Sequence, residues 1–254
     1  MKKASTLGLL ALMLFMVSCG GKEFVKSPVD TLIKDMNSEP VFSIILYDME
    51  VEGNFSKSYK HQYQIITEKD SIPQDKLTDW YPVGKDFFTY HENNMGMEIA
   101  SKGRDGKVNK GASPAGYSNY VGNAQYGQWK QRDGGSFWEF YGKYAMLSSV
   151  FHMMAYPARM SHYNDYRGNY YGRGRSYYGP TAGGRSTYGT YSDYNSKTKP
   201  NSRYTRSSTF KNKVNSRVQR STSSTKKTSS SRTSRSSNRY SGSSRSRSFG
   251  GGGK

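Results

Sequence analysis

The sequence predicts an α+β protein: a small four-stranded antiparallel sheet with an N-terminal helix, an aromatic amphipathic helix, and a long disordered basic C-terminal tail. A capped-helix signal followed by alternating apolar and polar residues predicts the helix and the sheet. The charge distribution predicts the tail. Residues 1–156 hold 17 Lys and Arg against 17 Asp and Glu, whereas residues 157–254 hold 21 against 2. Such a division is typical of a neutral folded part joined to a basic segment that meets an anionic partner.

The N-terminus carries the sharpest motif in the chain. Lys2 and Lys3 precede an almost wholly apolar run at residues 7–17. This run has the length of a signal-peptide core and is too short to cross a bilayer as a permanent helix. It ends in the sequence Met-Val-Ser-Cys-Gly at residues 16–20, which resembles the lipobox of bacterial lipoprotein precursors.

The resemblance implies that residues 1–18 are a signal peptide and that residues 19–26 form a lipidated tether. Cys19 would then carry diacylglycerol on its thiol and, after cleavage behind Ser18, an acyl chain on its new amine. Two or more acyl chains give stable anchoring, so the expected partner of this end is a membrane. Glycine at position 20 favours the outer membrane of a Gram-negative envelope.

Two other interpretations of the N-terminus remain open. One is an ordinary secretory peptide with an incidental cysteine, and the other is an uncleaved N-terminal anchor. Cys19 is the only cysteine in the chain, so it can form no disulfide within the chain and has no second thiol for a metal site. Its position next to the apolar run favours lipidation.

Residues 27–110 are predicted to form the small α+β domain, which begins with a helix. Ser27 precedes Pro28, which suits the first position of a helix, and Asp30 lies in the first turn. These are the residue types that start helices. Apolar residues spaced along the next turns predict one short helix that packs against the sheet.

Four strands are expected after this helix. Residues 41–51 and 55–67 alternate around a Gly-Asn turn, which predicts a hairpin. Residues 87–91 and 95–101 form a second predicted pair around an Asn-Asn dipeptide, and Asp-Gly at residues 105–106 marks a further turn. The alternation predicts a sheet with one buried face and one face in water.

Residues 111–156 divide into two parts. Residues 111–135 are rich in Gly, Tyr and Asn and are interpreted as an irregular linker. Residues 136–156 are predicted to be an aromatic amphipathic helix, which could pack on the sheet, lie at a membrane interface, or contact another protein. The apolar positions with helical spacing are Phe137, Phe140, Tyr141, Tyr144, Leu147, Phe151 and Met154.

The remainder is predicted to lack a fold. Residues 157–195 interleave Tyr, Gly and Arg, and residues 196–254 contain 16 Lys and Arg and no acid. Low hydrophobicity with high net charge does not offset the entropy of ordering. The candidate polyanion-binding residues are Arg203, Arg206, Lys211, Lys213, Arg217, Arg220, Lys226, Lys227, Arg232, Arg235, Arg239, Arg245 and Arg247.

Motifs that carry chemistry are missing from the sequence. It contains no P-loop, no nucleophile elbow and no zinc spacing, and its four histidines lack the spacing of metal ligands. His61 is expected on the inner strand face as a structural residue. Asp48, Glu50 and Glu52 alternate near a strand end and are interpreted as a solvated face. The sequence predicts neither an enzyme nor a bound metal or cofactor.

These patterns together predict a structural or adhesive envelope lipoprotein whose polycationic tail contacts anionic polymers or lipids. The alternative is an accessory subunit that docks its aromatic helix on an envelope protein complex. Segments of Arg, Gly and Tyr resemble RNA-binding regions, but an exported chain leaves the cytosol, so intracellular nucleic acid is not the expected partner. The plain alternative for the tail is a solvated spacer.

Overall fold

The computed structural model describes residues 27–53 and 56–207, together with Asn212. The helices are α1 (Pro28–Asp35), α2 (Lys85–His91), α3 (Ala145–Val150), α4 (Met160–Asn169), α5 (Asp193–Thr198) and α6 (Arg203–Arg206), and a 3₁₀ turn covers Gly142–Tyr144. The strands are β1 (Phe42–Glu52), β2 (Ser58–Lys69), β3 (Ile72–Val83), β4 (Met97–Lys102), β5 (Val108–Asn109), β6 (Ser113–Pro114), β7 (Gly127–Arg132), β8 (Gly135–Phe140), β9 (Thr181–Ala182) and β10 (Arg185–Ser186).

Within the described residues, the main sheet has six strands. Its order is β3-β2-β1-β4-β5, and β6 pairs with β4 beside β5. All of these pairings are antiparallel. β7 pairs with β8, and β9 with β10, in two small hairpins outside the main sheet. The predicted α+β class with antiparallel pairing is confirmed, whereas the prediction of four strands is wrong.

Helix α1 begins where the sequence predicts. Ser27 Oγ accepts the N–H of Asp30 at 3.4 Å, and proline occupies the first turn, where its missing N–H costs no hydrogen bond. Val29 and Leu32 are buried against the sheet. The cap and the apolar spacing therefore both act as expected.

A β-bulge in β1 changes which face its side chains occupy. Leu46 pairs with Tyr63 and Asp48 pairs with Gln62, so Tyr47 is the extra residue. Such an insertion shifts the alternation by one. Met49 consequently joins the same buried cluster as Leu46, whereas the simple alternation placed Met49 with residues 41 and 45.

The second predicted strand pair is wrong in its first member. Residues 87–91 lie in helix α2, because Phe88 and His91 are one turn apart and both are buried in the core that faces β2. The sequence also does not predict β3, a strand of 12 residues that pairs with β2. This edge strand is mostly exposed, so it lacks the apolar alternation that marks half-buried strands.

The segment predicted as a linker and an aromatic helix is folded differently. Trp129 in β7 and Trp138 in β8 are directly paired, with ring centroids 5.1 Å apart. Gly134, in the turn between the two strands, and Gly135, the first residue of β8, have φ angles of +89° and +128°. Only Ala145–Val150 is α-helical. The aromatic spacing fits a strand followed by a short helix as well as it fits one long helix.

Residues 157–195, predicted as a Tyr/Gly/Arg segment without a fold, and residues 196–207, predicted as the start of a disordered tail, are both folded. Residues 196–207 complete α5 and form α6. Residues 157–195 contribute α4, the β9–β10 hairpin and the start of α5, and their Tyr166, Tyr177, Tyr188 and Tyr194 are buried. We call the buried tyrosines on this side of the sheet the tyrosine layer. Its members are Tyr117, Tyr120, Tyr126, Tyr144, Tyr166, Tyr177, Tyr188 and Tyr194.

Both faces of the main sheet are therefore covered, and the prediction of one wet face is wrong. On one face, α1, α2 and Tyr204 pack on Phe42, Ile44 and Leu46. The tyrosine layer packs on the other face against Val41 and Ile45. The prediction of disorder beyond residue 207 concerns residues outside the described part of the chain, apart from Asn212.

Candidate functional site

A cleft of ≈ 420 Å³ lies over β1, β2 and β3, where the chain after α5 crosses the sheet. We call it the Lys199 cleft. Its volume is within the usual range of small-ligand sites. Its lining residues are Tyr47, Asp48, Gln62, Trp80, His152, Thr198, Lys199, Pro200, Asn201, Ser202 and Arg203.

The floor of the cleft is a row of directly paired residues on three adjacent strands. Asp48 in β1 pairs with Gln62 in β2, and Gln62 pairs with Trp80 in β3. The bulge at Tyr47 leaves both Tyr47 and Asp48 lining the cleft. A second irregularity in the β2–β3 register precedes Trp80. Bulges often re-aim side chains in this way beside functional sites.

Asp48 fastens the C-terminal segment to the sheet. Its Oδ2 accepts the N–H of Arg203 at 2.9 Å, and its Oδ1 accepts the N–H of Met49 at 2.8 Å. Only 6% of Asp48 is exposed. Burial raises the pKa of its carboxyl, and the N–H donors of Arg203 and Met49 act in the opposite direction. Its interpretation as part of a solvated face is therefore wrong.

Lys199 supplies a buried cation. It lies at the C-terminal cap of α5 and is 9% exposed. Its Nζ lies 3.3 Å from the centroid of the Tyr47 ring, a cation–π contact. Burial lowers the pKa of its ammonium to about 8, and Asp48 acts against that shift. Among the described residues, this ammonium has no hydrogen-bond acceptor and no ion pair.

Two further groups border the cleft. The guanidinium of Arg203 is 2.7 Å from Glu50 Oε1 and lies over the ring of Trp80 at 5.3 Å. His152 has a φ of +54°, a left-handed conformation that is uncommon for a residue with a side chain. Burial lowers the pKa of His152, and the charge of Lys199 acts in the same direction.

A smaller cleft of ≈ 190 Å³ contains Arg104 and Arg167. Arg104 donates to Glu68 Oε2 at 2.7 Å and to the Tyr126 hydroxyl at 3.2 Å. Arg167 lies over the ring of Tyr171 at 3.8 Å. Both guanidinium groups are thus already engaged within the fold. This cleft therefore has fewer charged groups available to a ligand than the Lys199 cleft has.

Of the candidate residues from the sequence, the structure places only two. Arg203 borders the Lys199 cleft, while Arg206 is exposed and donates to Asn201 Oδ1 at 3.1 Å. Cys19 lies outside the described residues. So do Lys211, Lys213, Arg217, Arg220, Lys226, Lys227, Arg232, Arg235, Arg239, Arg245 and Arg247.

The sequence predicts His61 on the inner face of its strand, and its buried position confirms this. His61 is buried, and its Nδ1 lies 3.2 Å from the Tyr63 hydroxyl. Burial lowers its pKa to about 3, and the nearby His91 adds to the shift. Within the described part of the chain, no group of three or more His, Cys, Asp and Glu side chains is arranged to hold a metal ion.

Sequence reasoning missed Lys199, Trp80 and Gln62. Lys199 lies in the segment that the sequence predicts to be an unfolded tail, and the strand that carries Trp80 has no alternating pattern that predicts it. The only local sign in β1 was a carboxylate between two large side chains, Tyr47 and Met49. A charged residue at such a position is typical of a bulge or of a strand end, and the structure has a bulge there.

Comparison with known proteins adds no further identification. No family model matches the chain, and searches of curated proteins and of solved structures give no significant match. Among the residues that the structure describes, none of the helices combines the length and apolar character needed to cross a membrane. The function must therefore be argued from the residues themselves.

Proposed function

We propose that the protein is a structural or adhesive lipoprotein of the bacterial cell envelope. In this proposal acylated Cys19 holds it in the outer membrane, and its polycationic C-terminal segment contacts anionic envelope polymers or lipids. The observation that carries the proposal is the separation of charge. Residues 208–254 contain 12 Lys and Arg and no acid, whereas residues 27–207 contain 22 Lys and Arg and 18 Asp and Glu.

The folded part retains its own cations. Arg159 lies over the Phe137 ring at 4.9 Å, and Arg175 lies over the Tyr170 ring at 5.1 Å. Arg185 pairs with Asp193 at 3.4 Å. Cations that stack on rings or pair with acids are less available to a partner. Because Lys199, Arg203 and Arg206 are likewise engaged within the folded part, the proposed polyanion contact is confined to residues 208–254 of the predicted 196–254.

The proposed contact depends on the density of positive charge along the C-terminal segment. A segment with many cations and no acids neutralises several anionic groups at once and releases their counterions. Its attraction for a polyanion therefore depends strongly on salt and weakly on the identity of the polyanion. The anchor would keep this segment near the membrane surface, where envelope polyanions are concentrated.

The accessory-subunit alternative is not carried forward, because the aromatic helix on which it depended does not exist. Phe137 and Phe140 lie in β8, and Phe151 is buried in the tyrosine-layer core. Tyr141 and Met154 are exposed, but Tyr141 follows β8 and Met154 follows α3, so they do not form one helix face on which a partner could dock.

The tail is tested by replacing the Lys and Arg residues of positions 208–254 with Gln in the full-length protein. Binding to lipopolysaccharide, to phosphatidylglycerol vesicles and to DNA as a probe polyanion should fall together, and wild-type binding should weaken steeply with salt. The matched control replaces four exposed lysines of the folded part and should change binding little. Its positions are Lys57, Lys69, Lys76 and Lys85. Equal loss of binding in both variants would contradict the proposal.

The anchor is tested separately. Cys19→Ala should abolish metabolic labelling with a fatty acid and should move the protein from the membrane fraction to the soluble fraction. Unchanged labelling of the Cys19→Ala protein would show that the lipoprotein assignment is wrong, whatever the tail binds.

A further inference from the structure

We propose that the Lys199 cleft binds a small acidic sugar, whose carboxylate pairs with the ammonium of Lys199 and whose ring packs on Trp80. The inference concerns the folded part alone. It depends neither on the lipid at Cys19 nor on the basic segment after residue 207. A carbohydrate ligand of the folded domain would be a second binding function for the protein.

The first step is the state of the ammonium. Lys199 is 9% exposed, and its nearest described partner is the π face of Tyr47 at 3.3 Å. A ring face compensates an ammonium less completely than an oxygen acceptor does, and Lys199 lines the cleft from which an acceptor can approach. An oxyanion that enters the cleft would supply the acceptor, and its attraction is strengthened where water is excluded.

The second step is the charge of the ligand. Lys199 and Arg203 are balanced by Asp48 and by Glu50, which is 2.7 Å from the Arg203 guanidinium. Asp48 lines the same cleft as Lys199 and is bonded to the backbone of the C-terminal segment. A ligand with one negative charge pairs with Lys199 at little cost. A dianion would add a second charge that Asp48 repels, which favours a carboxylate over a phosphate monoester.

The third step is the uncharged part of the ligand. Arg203 covers one face of Trp80 and Lys199 covers one face of Tyr47, so the aromatic surface left to a ligand is the remainder of each ring. A sugar ring presents C–H groups on its faces and hydroxyls around its edge, and the C–H groups can lie against that surface. Gln62 donates through Nε2 to Thr78 O at 2.9 Å, so its oxygen is the group that it can offer to a hydroxyl. Asn201 accepts from Arg206 and can offer its amide N–H. Ligand sites typically combine aromatic walls with a small number of polar groups.

The test is calorimetric titration of the full-length protein with D-glucuronate. D-glucose is the neutral comparison, and D-glucose 6-phosphate is the dianionic comparison. We expect glucuronate to bind about tenfold more tightly than either, as one charge-assisted hydrogen-bonded pair implies. Lys199→Met should weaken glucuronate binding by a similar factor. Lys197→Met is the matched control, because Lys197 is exposed outside the cleft, 5.7 Å from the Tyr156 ring.

A methionine at position 199 retains an apolar stem beside Tyr47, so we expect the variant to fold, and its melting temperature checks this. Wild-type protein gives a second test without substitution. The charged groups around Lys199 are Asp48, Arg203 and His152, and burial lowers the pKa of Lys199 to about 8. Glucuronate binding should therefore weaken as the pH rises above that value and the ammonium loses its proton, whereas glucose binding should not.

Any of four results would overturn the inference. One is the lack of glucuronate binding at millimolar concentration. Another is binding that Lys199→Met and Lys197→Met reduce equally. The third is affinity for glucose or glucose 6-phosphate that matches or exceeds that for glucuronate. A glucuronate affinity that does not change across the titration of Lys199 would contradict the pairing as well.

Discussion

The two faces of the main sheet are packed by different chemistry. Of the residues that the structure describes, the face under α1 and α2 buries mainly aliphatic side chains and Phe, with Tyr63 and Tyr204 as its tyrosines. The opposite face buries the eight tyrosines of the tyrosine layer. Aliphatic cores depend on area removed from water, whereas tyrosine adds a hydroxyl that must find a partner when it is buried.

Much of the tyrosine layer meets that requirement with hydrogen bonds between distant parts of the chain, whereas the buried hydroxyls of Tyr120 and Tyr177 have no hydrogen-bond partner among the described residues. Tyr117 and Tyr188 share a hydrogen bond of 2.9 Å, and Tyr194 donates to Phe151 O at 3.2 Å. Tyr166 and Ser118 are 2.9 Å apart through their hydroxyl oxygens. A region that is poor in aliphatic residues can therefore form a core, but its stability depends on polar geometry that the aliphatic face does not need.

The largest expected effect comes from removing part of the tyrosine layer. A chain that ends at residue 156 loses Tyr166, Tyr177, Tyr188 and Tyr194 and leaves their face of the sheet uncovered. We expect it to aggregate or to unfold without cooperativity. The matched control, a chain that ends at residue 207, should unfold like the full-length protein in urea. Equal cooperativity in the two truncated chains would contradict a joint core.

A smaller effect should follow from deleting one hydroxyl. Tyr188→Phe leaves the buried hydroxyl of Tyr117 without its partner, which should cost about 1–3 kcal/mol of unfolding free energy. Adding Tyr117→Phe removes the orphaned group, so the double variant should lose less than the sum of the two single variants. Urea unfolding of the four proteins gives the coupling free energy. Additive losses would mean that the hydroxyl pair is not a stabilising contact.

Stability should also depend on pH through Glu98, which lies where β4 meets the tyrosine layer. Burial raises the pKa of Glu98 above its ordinary value of 4.5, and the neighbouring hydroxyls of Ser118, Ser43 and Ser101 act against the shift. Above pH 4.5 the native state therefore keeps a proton that the unfolded chain has lost, and the free energy of unfolding falls as the pH rises through this window.

The prediction is tested with Glu98→Gln, which cannot ionise in either state. The Glu98→Gln substitution should raise the free energy of unfolding, relative to wild type, by more near neutral pH than below pH 4.5. Urea midpoints of the two proteins across this range measure the difference. A gap between them that is constant with pH would show that Glu98 ionises in the native state as it does in the unfolded chain.

The smallest effect is expected at the edge of the tyrosine layer. Arg167 is exposed and lies over the Tyr171 ring at 3.8 Å. Arg167→Gln should lower the unfolding free energy by about 0.5–1 kcal/mol. Arg167→Lys, which keeps the charge, should lose less. A loss much larger than this in thermal unfolding would mean that the guanidinium has a structural role beyond the ring contact.

The sequence predicted those parts of the fold that follow simple rules. Ser27 and Pro28 mark the start of α1, and the alternation of residues 41–51 and 55–67 marks the β1–β2 hairpin. Prediction from the sequence failed where one pattern is compatible with two different structures. The aromatic spacing of residues 136–156 fits a helix or a hairpin, and the choice was made by contacts with distant residues. Segments rich in tyrosine and glycine resemble linkers because hydropathy scales assign tyrosine a low hydrophobicity, although its ring can be buried in a core.

The candidate site was harder to predict than the fold. The Lys199 cleft joins Asp48, Gln62 and Trp80 from three strands to a lysine more than 100 residues away. Neither the bulge at Tyr47 nor the crossing of residues 198–203 over the sheet has a local sequence signal. Such a juxtaposition depends on the order of the strands, which the sequence of one segment does not contain.

The central claim is that residues 157–207 belong to the folded core. Native-state hydrogen exchange of the full-length protein tests it most directly. The N–H of Tyr177 donates to Ala112 O at 2.8 Å, and the N–H of Thr190 donates to Asn93 O at 3.0 Å. These amides should be protected to an extent comparable with the amides of β1. Exchange of both at the rate of an unfolded chain, while β1 remains protected, would contradict the claim.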